Sequence, residues 1–131
     1  MEFLNVLVAA FAAFAFGAVW YMTMSKPWMA AAKIECDADG RPVNANEKTP
    51  FIIGFVGMVL AAGMMRHIFG MAGINEMGQA LTAGLGIGLF SVMPWVAMNY
   101  AFGQRAFKLT LIDGVNVVAG SAIMAVVLTA F

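Results

Sequence analysis

Asp113 and Asn116 stand three residues apart inside an apolar stretch, Leu109–Phe131. In a helix that spacing puts both side chains on one face, with Gly120 one turn further on. An ionisable group inside an apolar span is costly and by default marks an ion path, a proton path or a ligand contact. Asn99 and Tyr100 lie near the end of the preceding apolar stretch, and Tyr21 and Thr23 near the end of the first. One reading gathers Asp113, Asn116, Asn99 and Tyr100 into a cation or proton site, with Asp113 as the charge and the asparagines as neutral ligands. The other makes Asp113 a helix cap, or the ion-pair partner of Arg105 or Lys108, and makes the asparagines hydrogen-bonding glue between helices. The residues alone support both.

A second polar group comprises Arg66 and His67 with Glu76, and Glu2 as a further candidate partner. Read functionally it is a gate or an anion contact. Read structurally, Arg66 snorkels to the surface and pairs with Glu76. A lone histidine cannot supply a two-histidine haem site, and the 12 methionines read as adaptable packing residues rather than ligands. The run Glu35-Cys36-Asp37-Ala38-Asp39-Gly40 alternates carboxylates as a calcium loop does, but the twelfth position is Asn46, not glutamate. It reads as a solvated, charge-balanced loop. There is no Ser-His-Asp set, no cysteine pair and no phosphate-binding glycine loop. No catalytic residue, metal site or cofactor is therefore expected.

The elements that position these residues are apolar and long. Segments Phe3–Met24, Phe51–Gly70, Met77–Phe102 and Leu109–Phe131 each approach the ~20 residues that cross a bilayer core. With 63% hydrophobic residues and a mean hydropathy of +0.87, too little polar surface is left for a soluble domain. The chain is expected to be all-α: one membrane domain, 1–131, of four transmembrane helices at about 3–24, 50–70, 77–102 and 109–131. Residues 25–49 form its polar loop. Lys26, Lys33, Arg41, Lys48, Arg105 and Lys108 fall on one side of such a bundle and Arg66 on the other. Loops 25–49 and 103–108 are thus expected in the cytoplasm and both termini outside, as in a bacterial inner membrane. Glu2 gives an acidic start unlike a signal peptide, so the first segment is expected to be retained. A formal net charge of zero offers nothing to nucleic acid.

Small residues mark packing faces. Ala13 and Gly17 are four apart, and Ala80, Gly84 and Gly88 continue that spacing over three turns. Trp20 and Tyr21 suit a headgroup boundary, and Trp28–Ile34 is expected to lie along it as a short helix with its tryptophan in lipid. Thr49 is expected to cap the second span ahead of Pro50. Pro94 should kink the third, with Ser91 satisfying freed groups. The two halves also echo each other: Trp20-Tyr21 followed by Lys26, and Asn99-Tyr100 followed by Arg105, keep one spacing from tyrosine to cation.

Asn5, the alanine-rich helix, Gly17, Trp20-Tyr21, Lys26 and Trp28-Met29 together carry a resemblance. The chain resembles the bacterial membrane family catalogued as domain of unknown function 1761, over its whole length, with Met22-Thr23 in place of an expected Gly-Pro. The resemblance implies a four-helix membrane fold and no particular activity. The small-residue faces favour a non-enzymatic accessory or scaffold subunit, assembling with itself or with other membrane proteins in the lipid bilayer. The alternative is a homo-oligomeric channel or transporter built on Asp113, Asn116 and Asn99. An enzyme acting on a lipid or quinone is the third reading.

Overall fold

The computed structural model describes residues 2–131. Five helices account for most of them: α1 (Glu2–Thr23), α2 (Ser25–Ala32), α3 (Thr49–Ala72), α4 (Met77–Phe102) and α5 (Phe107–Ala130). Four of these, α1, α3, α4 and α5, are long and apolar enough to cross a membrane. At 22 to 26 residues each is about 33–39 Å long. The protein is an all-α membrane bundle, with α2 as a short fifth helix beside it. Large apolar side chains such as Phe11, Leu60, Phe90 and Trp95 face outward, as lipid solvent requires.

Neighbours in the bundle are set by small residues. α5 is the hub, packed along both α4 and α1, while α1 also packs along α3. The Ala80-Gly84-Gly88 stripe lies directly on α5: a Cβ added at Gly84 would stand 2.6 Å from Ala125 Cβ and 2.7 Å from the Ser121 carbonyl oxygen. At Gly88 it would stand 2.9 Å from Val118 Cα. Ala13 and Gly17 likewise face α5, opposite Gly120 and Asn116. These faces, expected to serve assembly with other chains, are occupied within the chain itself.

The bundle is tight at the end that carries the termini and looser at the other. The buried residues of α1 lie between Asn5 and Ala13 and those of α3 between Ala62 and Phe69, all in the halves nearest the termini. At the loop end α3 has no buried residue, and α2 packs against α5. Pro27 stands in the first turn of α2, where its missing N–H costs nothing. Ala31 and Ala32 then pack with Leu109 and Ile112 of α5. Trp28, expected in lipid, instead packs inward on that cluster, its ring 5.7 Å from Tyr21 in an edge-on contact.

Three local expectations change. Thr49 is the first residue of α3 and makes no side-chain capping bond, although Pro50 does occupy the first turn. The irregularity expected at Pro94 appears one turn earlier, as a π-helical stretch at Ile87–Val92. That is the turn whose carbonyls lose the proline N–H, and a wider turn accommodates the loss. Ser91 is exposed and makes no side-chain hydrogen bond there. In the polar loop, Asp37 Oδ1 accepts from the backbone N–H groups of Asp39 and Arg41, both at 3.0 Å, so this carboxylate shapes its own turn.

Candidate functional site

Asp113 lies about two turns inside α5, which begins at Phe107, so it is not the cap of that helix. Its carboxylate oxygens are held by tyrosines from two other helices. Tyr21 of α1 donates to Oδ1, and Tyr100 of α4 donates to Oδ2 at 2.5 Å. Hydrogen bonds to a charged partner contribute about 1.5–3 kcal/mol each, so the pair is a substantial tie between three helices. Nor does Asp113 pair with a neighbouring cation. Among the described residues the one ion pair is Arg66–Glu2, and Arg105 Nη1 donates to the Ala32 carbonyl at 2.8 Å.

The surrounding side chains hold Tyr21 in place. Its neighbour Trp20 donates from Nε1 to the Ile112 carbonyl at 2.9 Å, and Trp28 braces the tyrosine ring. One turn along α5 from Asp113, Asn116 packs over Gly17, where an added Cβ would lie 3.1 Å from Asn116 Oδ1. Of the four side chains expected to cluster, Asp113, Tyr100 and Asn116 come together. Asn99 does not: it is exposed on α4 and makes no side-chain hydrogen bond.

These groups form one side of a cavity of about 940 Å³ between α1, α3, α5 and the polar loop. Tyr21, Tyr100, Asp113, Asn116, Ser25 and Arg105 are its polar lining residues, and Phe14, Phe51, Met58 and Trp28 are among the apolar ones. The near half of α3 has no buried residue and meets α1 through Phe55, whose ring lies 5.8 Å from that of Phe14. An apolar chamber with a few converging polar groups is the usual form of a small-molecule site.

The chain matches, over residues 4–129, the family described as protein of unknown function DUF1761. It belongs to that family. No curated protein and no solved structure matches it. In this DUF1761 chain several of the residues that carried the resemblance join α1 to α5 or brace that junction. Gly17 admits Asn116, Trp20 bonds the Ile112 carbonyl, Tyr21 bonds Asp113, and Trp28 supports Tyr21. Asn5, buried at the far end, donates from Nδ2 to the carbonyls of Val127 and Phe131 at 3.3 and 3.1 Å.

That far end holds the second polar group of the DUF1761 chain. Arg66 does not pair with Glu76, which is exposed where α4 begins. Its Nη1 donates to the Leu128 carbonyl at 3.1 Å and its Nη2 lies 3.8 Å from Glu2 Oε1. Arg66 thus satisfies a carbonyl in the last turn of α5 that has no partner within the helix, and Asn5 ties α1 to the same end. His67 is exposed beside a second cavity of about 980 Å³. Geometry makes this patch a helix closure.

Proposed function

We propose that this DUF1761 chain is a non-enzymatic membrane protein that binds a small amphiphilic molecule in the cavity at its loop end. The observation that carries the reading is the lining of that cavity, which is mostly apolar, with Asp113, Tyr21, Tyr100 and Asn116 brought together in it and Ser25 and Arg105 as its other polar side chains. An amphiphile places its tail against Phe14 and Met58 and its head against the polar wall. The Tyr21 and Tyr100 hydroxyls are both engaged as donors to Asp113, so the reading is of binding, with carriage across the bilayer as its natural extension. The distribution of lysine and arginine supports an orientation with the loop end in the cytoplasm and both termini outside, in a bacterial inner membrane. The amphiphile then enters from the cytoplasmic leaflet.

The scaffold reading drew its support from small-residue stripes, and Gly84 and Gly88 already face α5. The test is native mass spectrometry of the protein released from its own membrane in nanodiscs. A stoichiometric adduct is expected on the wild type and not on Ala18→Trp, which places an indole at the cavity wall. An adduct that persists unchanged in Ala18→Trp would refute the proposal.

A further inference from the structure

We infer that the molecule taken into this cavity is an organic monovalent cation, held by Asp113 and the aromatic rings around it. This rests on the cavity reading and gives its ligand a charge. One acidic and one basic residue line the chamber, Asp113 and Arg105. Arg105 is exposed at the loop end and already donates to the Ala32 carbonyl. Asp113 lies deeper and has no cationic side chain in ion-pairing range among the described residues. A charged carboxylate is an acceptor only, and the tyrosine hydroxyls meet that need without neutralising it.

A neutral ligand gives that carboxylate nothing beyond its two tyrosine bonds, and an anion is repelled by it. A bare metal ion is a poor match, since hard cations need several oxygen ligands and Asp113 is the one carboxylate here. Tyr21, Trp28 and Tyr100 line the same cavity as Asp113, and aromatic faces favour large, weakly hydrated cations. Alkylammonium and phosphonium heads combine the charge, size and apolar skin that this wall suits.

The test uses two probes of nearly equal shape: methyltriphenylphosphonium, a cation, and triphenylphosphine oxide, which is neutral. Binding to the full chain in nanodiscs is measured by equilibrium dialysis against empty nanodiscs. The wild type should bind the cation about tenfold or more tightly than the neutral probe, which corresponds to one favourable, partly desolvated charge contact. Asp113→Asn should remove that preference while the neutral probe still binds, and Tyr100→Phe, which keeps the carboxylate, should retain it. Equal affinity for both probes in the wild type would overturn the charge assignment and leave the cavity reading standing. Binding of neither probe would overturn both. Should Asp113→Asn fail to assemble, the wild-type comparison decides alone.

Discussion

Replacing Gly84 with alanine fills the most crowded glycine position in the molecule. The new methyl would stand 2.6 Å from Ala125 Cβ, 2.7 Å from the Ser121 carbonyl oxygen and 3.1 Å from Ala122 Cα. Non-bonded carbons sit comfortably about 3.5–4.0 Å apart, so the contact is short by roughly 1 Å. None of the three neighbours is the free end of a flexible side chain. The clash is relieved only if α4 and α5 separate, which also lifts Gly88 off Val118. Overpacking of this kind costs about 1–3 kcal/mol. The better helix propensity of alanine returns up to about 1 kcal/mol. The net loss is about 1–2 kcal/mol, a fall of roughly 3–8 °C in melting temperature. Gly57→Ala is the control, because nothing lies within 4 Å of its added Cβ. Thermal melts of the helical circular dichroism signal in mild detergent measure both. If Gly84→Ala melts with Gly57→Ala, the α4–α5 interface described above is wrong.

Other outcomes follow from the same geometry. Tyr21→Phe removes one donor from Asp113 and should cost about 1–3 kcal/mol in the same melts. Gly17→Ala meets only the movable amide of Asn116 and should cost less than Gly84→Ala. Arg66→Ala strips a donor from the Leu128 carbonyl and should destabilise by about 1–2 kcal/mol. Glu2→Ala should change stability by less than about 1 kcal/mol, since the Glu2 side chain is 81% exposed. Cys36 is exposed and is the one cysteine, so a membrane-impermeant maleimide should label it in inverted membrane vesicles and not in intact cells. Labelling in intact cells would reverse the proposed orientation.

The spans were legible because hydropathy and length are properties of single segments. The third was read at its observed bounds, Met77–Phe102, and the others to within a few residues. Which helix lies beside which was not legible, because a membrane helix is apolar on all faces and carries little directional pattern. Hence Arg66 was paired with Glu76, nearby in sequence, when α1 brings Glu2 to it. Hence also Trp28 was assigned to lipid, though the fold of α2 turns it onto Tyr21. The small-residue stripes announced close packing without naming the partner. The site was half visible. Asp113 drew attention as a charge in a span, and Asn116 followed from helical spacing. Tyr100 belongs to the cluster expected from sequence, whereas Tyr21, at the end of the first span, does not; the echo of tyrosine and cation at Tyr21-Lys26 and Tyr100-Arg105 is the signal that pairs the two. Asn99 belongs to the same echo but falls on the outward face of α4.

The central claim is that an amphiphile occupies the chamber between α1, α3 and α5. The most direct measurement is photocrosslinking with a diazirine-tailed amphiphile in native membranes, followed by mapping of the labelled peptides. Label should concentrate on cavity-lining residues such as Phe14, Gly54 and Met58, and be lost from them in Ala18→Trp. Label spread evenly over lipid-facing residues such as Phe90, Trp95 and Phe102, with no excess in the chamber, would contradict it.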